Sequence, residues 1–409
     1  MKNLKKHAAR LALLSIVTTG ICGNVSYANS TKDTISGVTQ KWVTSVTPET
    51  FDVVTAGAEQ VKTGAPRKES LRLESKWDKV FPKSDTVDHK KVTFVNRYGI
   101  TLAADVYMPK NLGDKKISAI AVAGPFGAVK EQSSGLYAQM MAERGFIAIA
   151  FDPSFTGESG GEPRNTASPE INTEDFSAAI DYLGTLPNVD RNRIGIIGIC
   201  GFGGMGLSAT VSDHRVKAVV TTSMYNMSRS MGKGYKDSYT EQDRQKVYDL
   251  IANARWATVD RGGVPAGDYH EHPVNADGTV ESGNRILPDV LPDNPDSVLK
   301  QFFDYYRTER GYHPRSLNSN GIWNDTVPQG FMNFDVLANI KEIAPRPVLL
   351  IAGSEAHSLY YSQDAYDALK ESGTVELNII SGANHVDLYD RIDIIPFDKM
   401  AEFFTDNLK

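Results

Sequence analysis

From residue 117 onward one pattern recurs in the chain: a short, unbroken apolar run followed by a loop or a segment with helical spacing. The runs are ISAIAVAG (117–124), FIAIAFD (146–152), NRIGIIGI (192–199), VKAVVTTSM (216–224), PVLLIAG (347–353) and, more mixed, VELNIIS (375–381). A strand that is apolar at nearly every position is one covered on both faces. Such strands alternating with helices imply an α/β fold with a mainly parallel, doubly wound sheet. Helices are expected around GLYAQMMAERG, NTEDFSAAIDYLG, MGLSATV, AYDALKES and FDKMAEFFTDNL. In the second of these, Phe176, Ala179, Ile180 and Leu183 fall at i, i+3, i+4 and i+7, with Asn172 placed to cap the start and Gly184 the end. Upstream, KVTFVN and ITLAADVYMP flank Tyr98-Gly99 and predict an antiparallel hairpin.

The alternation stops between Met224 and Pro347, where two helical pieces, EQDRQKVYDLIANARW and DSVLKQFFDYYRTERG, flank a loop rich in Gly, Pro and Asp. An excursion of that length between two sheet strands predicts a cap at 226–345, dividing the core into 89–225 and 346–409. At the other end, Lys2, Lys5, Lys6 and Arg10 precede an apolar run from Leu11 to Cys22, followed by Ser26-Tyr27-Ala28. This reads as a signal peptide, 1–28, too short to span a bilayer, and predicts export to a periplasm or the exterior, with no membrane span after cleavage. Residues 29–88 read as an N-terminal extension.

Cleavage would remove Cys22 and leave Cys200 as the one remaining cysteine, so no disulfide can form within the chain. An unpaired thiol in an oxidising compartment is either buried and inert or has a chemical role. With 44 basic against 50 acidic residues and no basic cluster, nucleic acid and anionic membrane are excluded as main partners.

Cys200 stands at the end of an apolar strand, third in GICGFGGM, ahead of a predicted helix. A nucleophile on a tight strand-to-helix turn needs small neighbours, which Gly198, Gly201, Gly203 and Gly204 supply. Ligands in doubly wound sheets bind at such strand ends. Together with GPFGAVKEQ (124–132), FDPSFTGESGGEPR (151–164), SMYNM (223–227), GSEAHSLYYSQDAY (353–366) and GANHVDLYD (382–390), the motif resembles the α/β-hydrolase superfamily. The resemblance is to its dienelactone-hydrolase-like branch with a cysteine nucleophile, near the bacterial relatives of fungal polyketide transferases. It implies an α/β-hydrolase fold with a cap inserted between late strands.

The resemblance also implies roles. His385, after the strand VELNIIS, stands where the superfamily carries its general base; His89, His214 and His313 fit less well. The triad acid should follow PVLLIAG, but Ala356 occupies the usual aspartate position, so Glu355 is the candidate, with Asp364 and Asp387 as alternatives. The backbone N–H groups of Phe126 and Gly201 would form the oxyanion hole. The usual elbow is G-x-S-x-G, whereas Phe202 stands here before the next glycine; Phe202, Tyr225 and His357 are expected to line the pocket.

GESGGE (157–162) lacks the lysine of a phosphate loop, and His270-Glu271-His272 has no third ligand, so neither a cofactor nor a metal is implied. Trp256, Phe302, Phe303, Tyr305, Tyr306 and Trp323 in the cap segment are expected mainly to pack the cap. The resulting expectation is an exported hydrolase that takes a small-molecule acyl substrate and cleaves an ester, lactone or thioester through a Cys-His-acid triad. Acyl transfer through the same intermediate, or a non-catalytic binding protein on the same scaffold, are the alternatives.

Overall fold

The computed structural model describes residues 68–263 and 287–409. The expected signal peptide, most of the expected extension and the His270-Glu271-His272 segment lie outside the described residues.

Eight strands form a single sheet in the order β1-β2-β4-β3-β5-β6-β7-β8. The expected hairpin is β1 (Val87–Val95) and β2 (Thr101–Pro109), antiparallel around a turn in which Gly99 takes φ 82°. β2 also runs antiparallel to β4 (Ile147–Phe151). The remaining pairs are parallel: β4 with β3 (Ile117–Ala123), β3 with β5 (Val189–Ile199), β5 with β6 (Val216–Thr222), β6 with β7 (Val348–Gly353), and β7 with β8 (Val375–Ile380). Every residue of β4 and β7 is buried, as unbroken apolar runs require. Edge strand β8 instead mixes half-buried and exposed positions.

Helices α1 (Ser133–Glu143), α2 (Pro169–Leu183) and α3 (Gly201–Ser212) connect the central strands. Helix α2 starts four residues earlier than a cap at Asn172 would place it. Ser168 is the N-cap and accepts a hydrogen bond from Ile171 N at 3.3 Å, with Pro169 in the first turn. Asn172 lies inside the helix and donates to the buried Asp175 at 3.1 Å, and Gly184 closes the helix with an ordinary φ of −64°.

Between β6 and β7 the chain leaves the sheet and forms α4 (Met227–Lys233), α5 (Glu241–Asp260), α6 (Ser297–Tyr306) and α7 (Val327–Asn333). Helix α6 buries Phe302, Tyr305 and Tyr306 toward the core. Trp256, on α5, is exposed instead. Helix α8 (Leu359–Leu369) joins β7 to β8, and α9 (Asp387–Asp390) and α10 (Phe397–Asn407) complete the chain. None of the described helices is long and apolar enough to cross a membrane.

Candidate active site

The carboxyl ends of β3, β5, β7 and β8 bring together four loops. At the end of β5, Cys200 takes φ 54° and ψ −121°, a left-handed conformation that a non-glycine residue adopts only when its surroundings enforce it. Three backbone bonds do so: Cys200 N donates to Thr222 O, and Gly203 N and Tyr225 N both donate to Cys200 O, each at 2.9 Å. Glycine is needed beside it because a Cβ on Gly201 would stand 2.7 Å from the Phe126 Cβ. Phe202 points away from the site: its ring is buried behind the turn and tilts against Phe176 at 6.1 Å. The expectation that Phe202 lines the pocket is therefore corrected, because the first turn of α3 directs that side chain into the sheet–helix core.

Phe126 follows β3 and is the other predicted oxyanion-hole residue. The N–H groups of Phe126 and Gly201 both lie against the Cys200 sulfur. Its ring stacks on Trp323 at 4.4 Å and meets the edge of Phe331 at 5.6 Å, so two cap residues hold the loop. Gly127 O accepts from Ser319 N at 3.1 Å and Ser316 Oγ at 3.2 Å, adding a polar tie between the same partners.

His385 is fully buried. Its loop is built by Asn384 and Asp387: Asn384 Oδ1 accepts from Val386 N and Asp387 N at 2.9 and 3.0 Å, while Asp387 Oδ2 accepts from Asn384 N at 2.9 Å. Both imidazole nitrogens are engaged, Nδ1 with Ser358 Oγ at 2.6 Å and Nε2 with Tyr389 Oη at 2.9 Å.

No carboxylate among the described residues pairs with His385, which corrects the expected acid. Glu355 N bonds Ala383 O at 2.9 Å, a backbone tie that leaves its exposed side chain beside Ser354 Oγ at 3.4 Å. Asp364 pairs with Arg229 on the outer face, and Asp387 is occupied by the turn at Asn384. Ser358, three residues beyond Glu355, takes the position at Nδ1.

Around these groups lie Tyr225, His357, Phe302 and Tyr306. The Tyr225 hydroxyl bonds His357 Nε2, and the His357 ring lies 5.0 Å from that of His385. Phe302 covers both imidazoles, at 5.8 and 5.6 Å. Burial pushes the Cys200 thiol above its ordinary value, against the partial relief of Tyr389 and the two amides. Burial, helped by the neighbouring His357, holds His385 well below the ordinary histidine value, and burial alone brings His357 down to about 3. The resting site is thus a neutral thiol facing a neutral imidazole.

Behind the Phe126 loop the chemistry reverses. Lys130 is completely buried and contacts Glu131 at 2.7 Å, Asp152 at 2.9 Å and Glu158 at 2.6 Å. Lys91, Lys79 and Arg315 add pairs to Glu158, Asp105 and Glu131 at 2.7, 2.9 and 2.9 Å. GPFGAVKEQ and the loop after β4 are therefore joined by ion pairs.

Tyr389 and Ser358 are not singled out as site residues by the sequence, and Tyr306 is expected there mainly to pack the cap. For Tyr389 a signal exists: it follows His385 by four residues, the spacing that puts two side chains on one helical face. Ser358 carries none, since its role depends on which loop it meets.

The model of the X-Pro dipeptidyl-peptidase (S15) family matches residues 98–260. The uncharacterized protein PA2218 of Pseudomonas aeruginosa is 55% identical over 338 residues, 83% of this chain and 86% of that one. YcjY of Escherichia coli K12 is 34% identical over 78% of this chain and 99% of its own. A thiohydrolase of Aspergillus aculeatus, aneE, is 31% identical over 133 residues, 32% of this chain and 41% of that protein. Among solved structures, that of PA2218 superposes with a TM-score of 0.76 at 53% identity, covering 83% of this chain and all of the other. The α/β hydrolase GrgF of Penicillium sp. sh18 superposes at 0.60 with 20% identity, covering 79% and 98%, a likeness of fold.

Proposed function

We propose that this chain, which belongs to one family with PA2218 and YcjY, is an α/β hydrolase that cleaves an ester, lactone or thioester through a covalent acyl-enzyme on Cys200. One observation carries the reading: Cys200 is held at positive φ on the strand-to-helix turn with the N–H groups of Phe126 and Gly201 against its sulfur. A structural cysteine needs neither the strained backbone nor two converging amides.

In this mechanism His385 accepts the thiol proton as the sulfur attacks the carbonyl carbon, the C–S bond forms, and the carbonyl π pair moves to oxygen. The Phe126 and Gly201 amides stabilise that oxyanion. Collapse expels the alkoxide or thiolate, which takes the proton back from His385, and leaves a thioester on Cys200. Water activated by His385 then releases the acid. Ser358 replaces the triad carboxylate as the group that orients Nδ1. A hydroxyl stabilises an imidazolium less than a carboxylate does, so the proton is held only transiently. Neutral, apolar surroundings and Phe302 above His385 favour an apolar acyl group as substrate. The expected leader at 1–28 supports a periplasmic or secreted location.

Acyl transfer is the second reading, because Cys200 and His385 are both sealed from solvent beneath the cap, a setting that favours an alcohol or amine acceptor over water. The test uses p-nitrophenyl acetate and an acetyl thioester, with intact-mass detection of acylated protein. Turnover with the acyl group on Cys200, lost in Cys200→Ala and lowered about 10² to 10⁴-fold in His385→Ala, supports the proposal. Undiminished turnover by Cys200→Ala overturns it. Product partitioning with added alcohol separates hydrolysis from transfer.

A further inference from the structure

The turn that carries the Phe126 N–H is gripped from outside. Pro125-Phe126-Gly127-Ala128 is closed by Ala128 N donating to Pro125 O at 2.9 Å, and Gly127 in its third position takes φ 90°, as a type II turn requires. The carbonyl and the N–H of a trans peptide point in opposite directions. Drawing Pro125 O into the turn therefore directs the Phe126 N–H out of it. Phe126 itself abuts the elbow, where a Cβ on Gly201 would stand 2.7 Å from its own Cβ.

The next carbonyl that is held, Gly127 O, leaves the loop for the cap. It accepts from Ser319 N at 3.1 Å and from Ser316 Oγ at 3.2 Å. A Cβ on Gly127 would meet Asn318 C and Ser319 N at 2.8 Å, so cap backbone fills the space that a side chain would need. Ser316, Asn318 and Ser319 are all buried. The cap turn is bonded within itself as well: the Ser316 and Ser319 hydroxyls lie 2.6 Å apart, and Asn320 Nδ2 donates to Ser316 O at 2.9 Å. Further along the loop, Gln132 spans the same gap. Its Oε1 accepts from Val129 N at 3.0 Å, and its Nε2 donates to Gly311 O at 2.6 Å.

We infer that the cap turn 316–319 positions the oxyanion hole, with Ser316 and Gly127 as positioning residues; the inference rests on the reading of Cys200 as nucleophile and of the Phe126 N–H as an oxyanion donor. They act through two peptide planes in series. Gly127 C=O and Ala128 N–H belong to one plane, anchored to the cap at its oxygen and to Pro125 O at its hydrogen. Pro125 C=O and Phe126 N–H belong to the other, and its hydrogen is the oxyanion donor. Such a donor adds to the rate only when it is already aimed where charge develops. With the cap lifted, the first plane is free to rotate and the second follows, although Cys200 and His385 stay in place on their own loops. The oxyanion hole is thus complete only beneath a seated cap.

The experiment compares two reactions of Cys200 in the full chain. Acylation by p-nitrophenyl acetate passes through an oxyanion. Alkylation by iodoacetamide does not: the sulfur forms its bond to the methylene carbon as iodide leaves. Ser316→Ala removes one of the two bonds to Gly127 O and should lower the acylation rate about fivefold with KM little changed. Gly127→Ala forces the cap backbone away and should cost about 10²-fold, as loss of one oxyanion donor does. In both variants iodoacetamide should label Cys200 at the wild-type rate, a contrast that a merely loosened fold would not produce. Equal falls in the two reactions, or wild-type acylation in Ser316→Ala, overturns the inference, and Ser316→Ala decides alone if Gly127→Ala does not fold. If Cys200→Ala releases p-nitrophenol at the wild-type rate, the nucleophile reading fails instead, so the two failures are distinguishable.

Discussion

Two buried polar clusters flank the Phe126 loop, and they solve the burial problem in opposite ways. Around Lys130, two fully buried lysines and the partly exposed Lys91 and Arg315 meet buried carboxylates, with every ion at contact distance from an opposite charge. Around Cys200 the groups are a thiol, imidazoles and phenols, joined by hydrogen bonds and carrying no formal charge at rest. An isolated charge in such a medium costs several kcal/mol, roughly, which contact with counter-ions repays only when geometry is good. The first cluster accepts that cost to fix a loop. The second avoids it, so charge appears in the site only during the reaction, opposite the two amides aimed at it.

The largest expected effect breaks the charged side. Lys130→Met removes the shared counter-ion of Glu131, Asp152 and Glu158 and should lower stability by about 3–5 kcal/mol in urea denaturation. A loss near zero would mean that Lys91, Lys79 and Arg315 suffice and that the two clusters are less different than described.

A pH profile sharpens the neutral side. Catalysis needs unprotonated His385, and burial holds its folded value well below the ordinary one. The acid limb of kcat/KM should therefore lie well below the ordinary histidine range. Stability from the same group is present above the unfolded histidine value and is lost as pH falls toward the folded one. An acid limb at the ordinary histidine value would show that the site opens to water before reacting.

Smaller still is Ser358→Ala, which removes the hydrogen bond at Nδ1. One such bond corresponds to about 1 kcal/mol, or roughly a fivefold fall in kcat, read under saturating substrate. Glu355→Gln should change neither activity nor stability measurably, because the carboxylate is exposed and away from His385. A loss comparable to that of His385→Ala would restore Glu355 as the triad acid.

Much of the fold was legible because its signals are local. Unbroken apolar runs in β4 and β7 announce strands covered on both faces, and a cysteine among glycines after β5 announces a tight turn. The start of α2 was misplaced because Asn172 has the composition of a cap while its amide is required by the buried Asp175, and Ser168-Pro169 opens the helix instead. Phe202 drew attention as a departure from the elbow pattern, yet its ring belongs to the interface with Phe176.

The sequence by itself determined the order of strands and helices, the position of the elbow and the identity of the thiol on it. These depend on periodicity and on backbone space within a few residues. Only the tertiary structure decided that Ser358 rather than Glu355 meets Nδ1 of His385, that Tyr389 occupies its Nε2, and that the Lys130 carboxylates close on one ammonium. Those pairings join loops after different strands. Spacing along a chain sets which face a side chain occupies, but not which distant side chain will face it across the sheet.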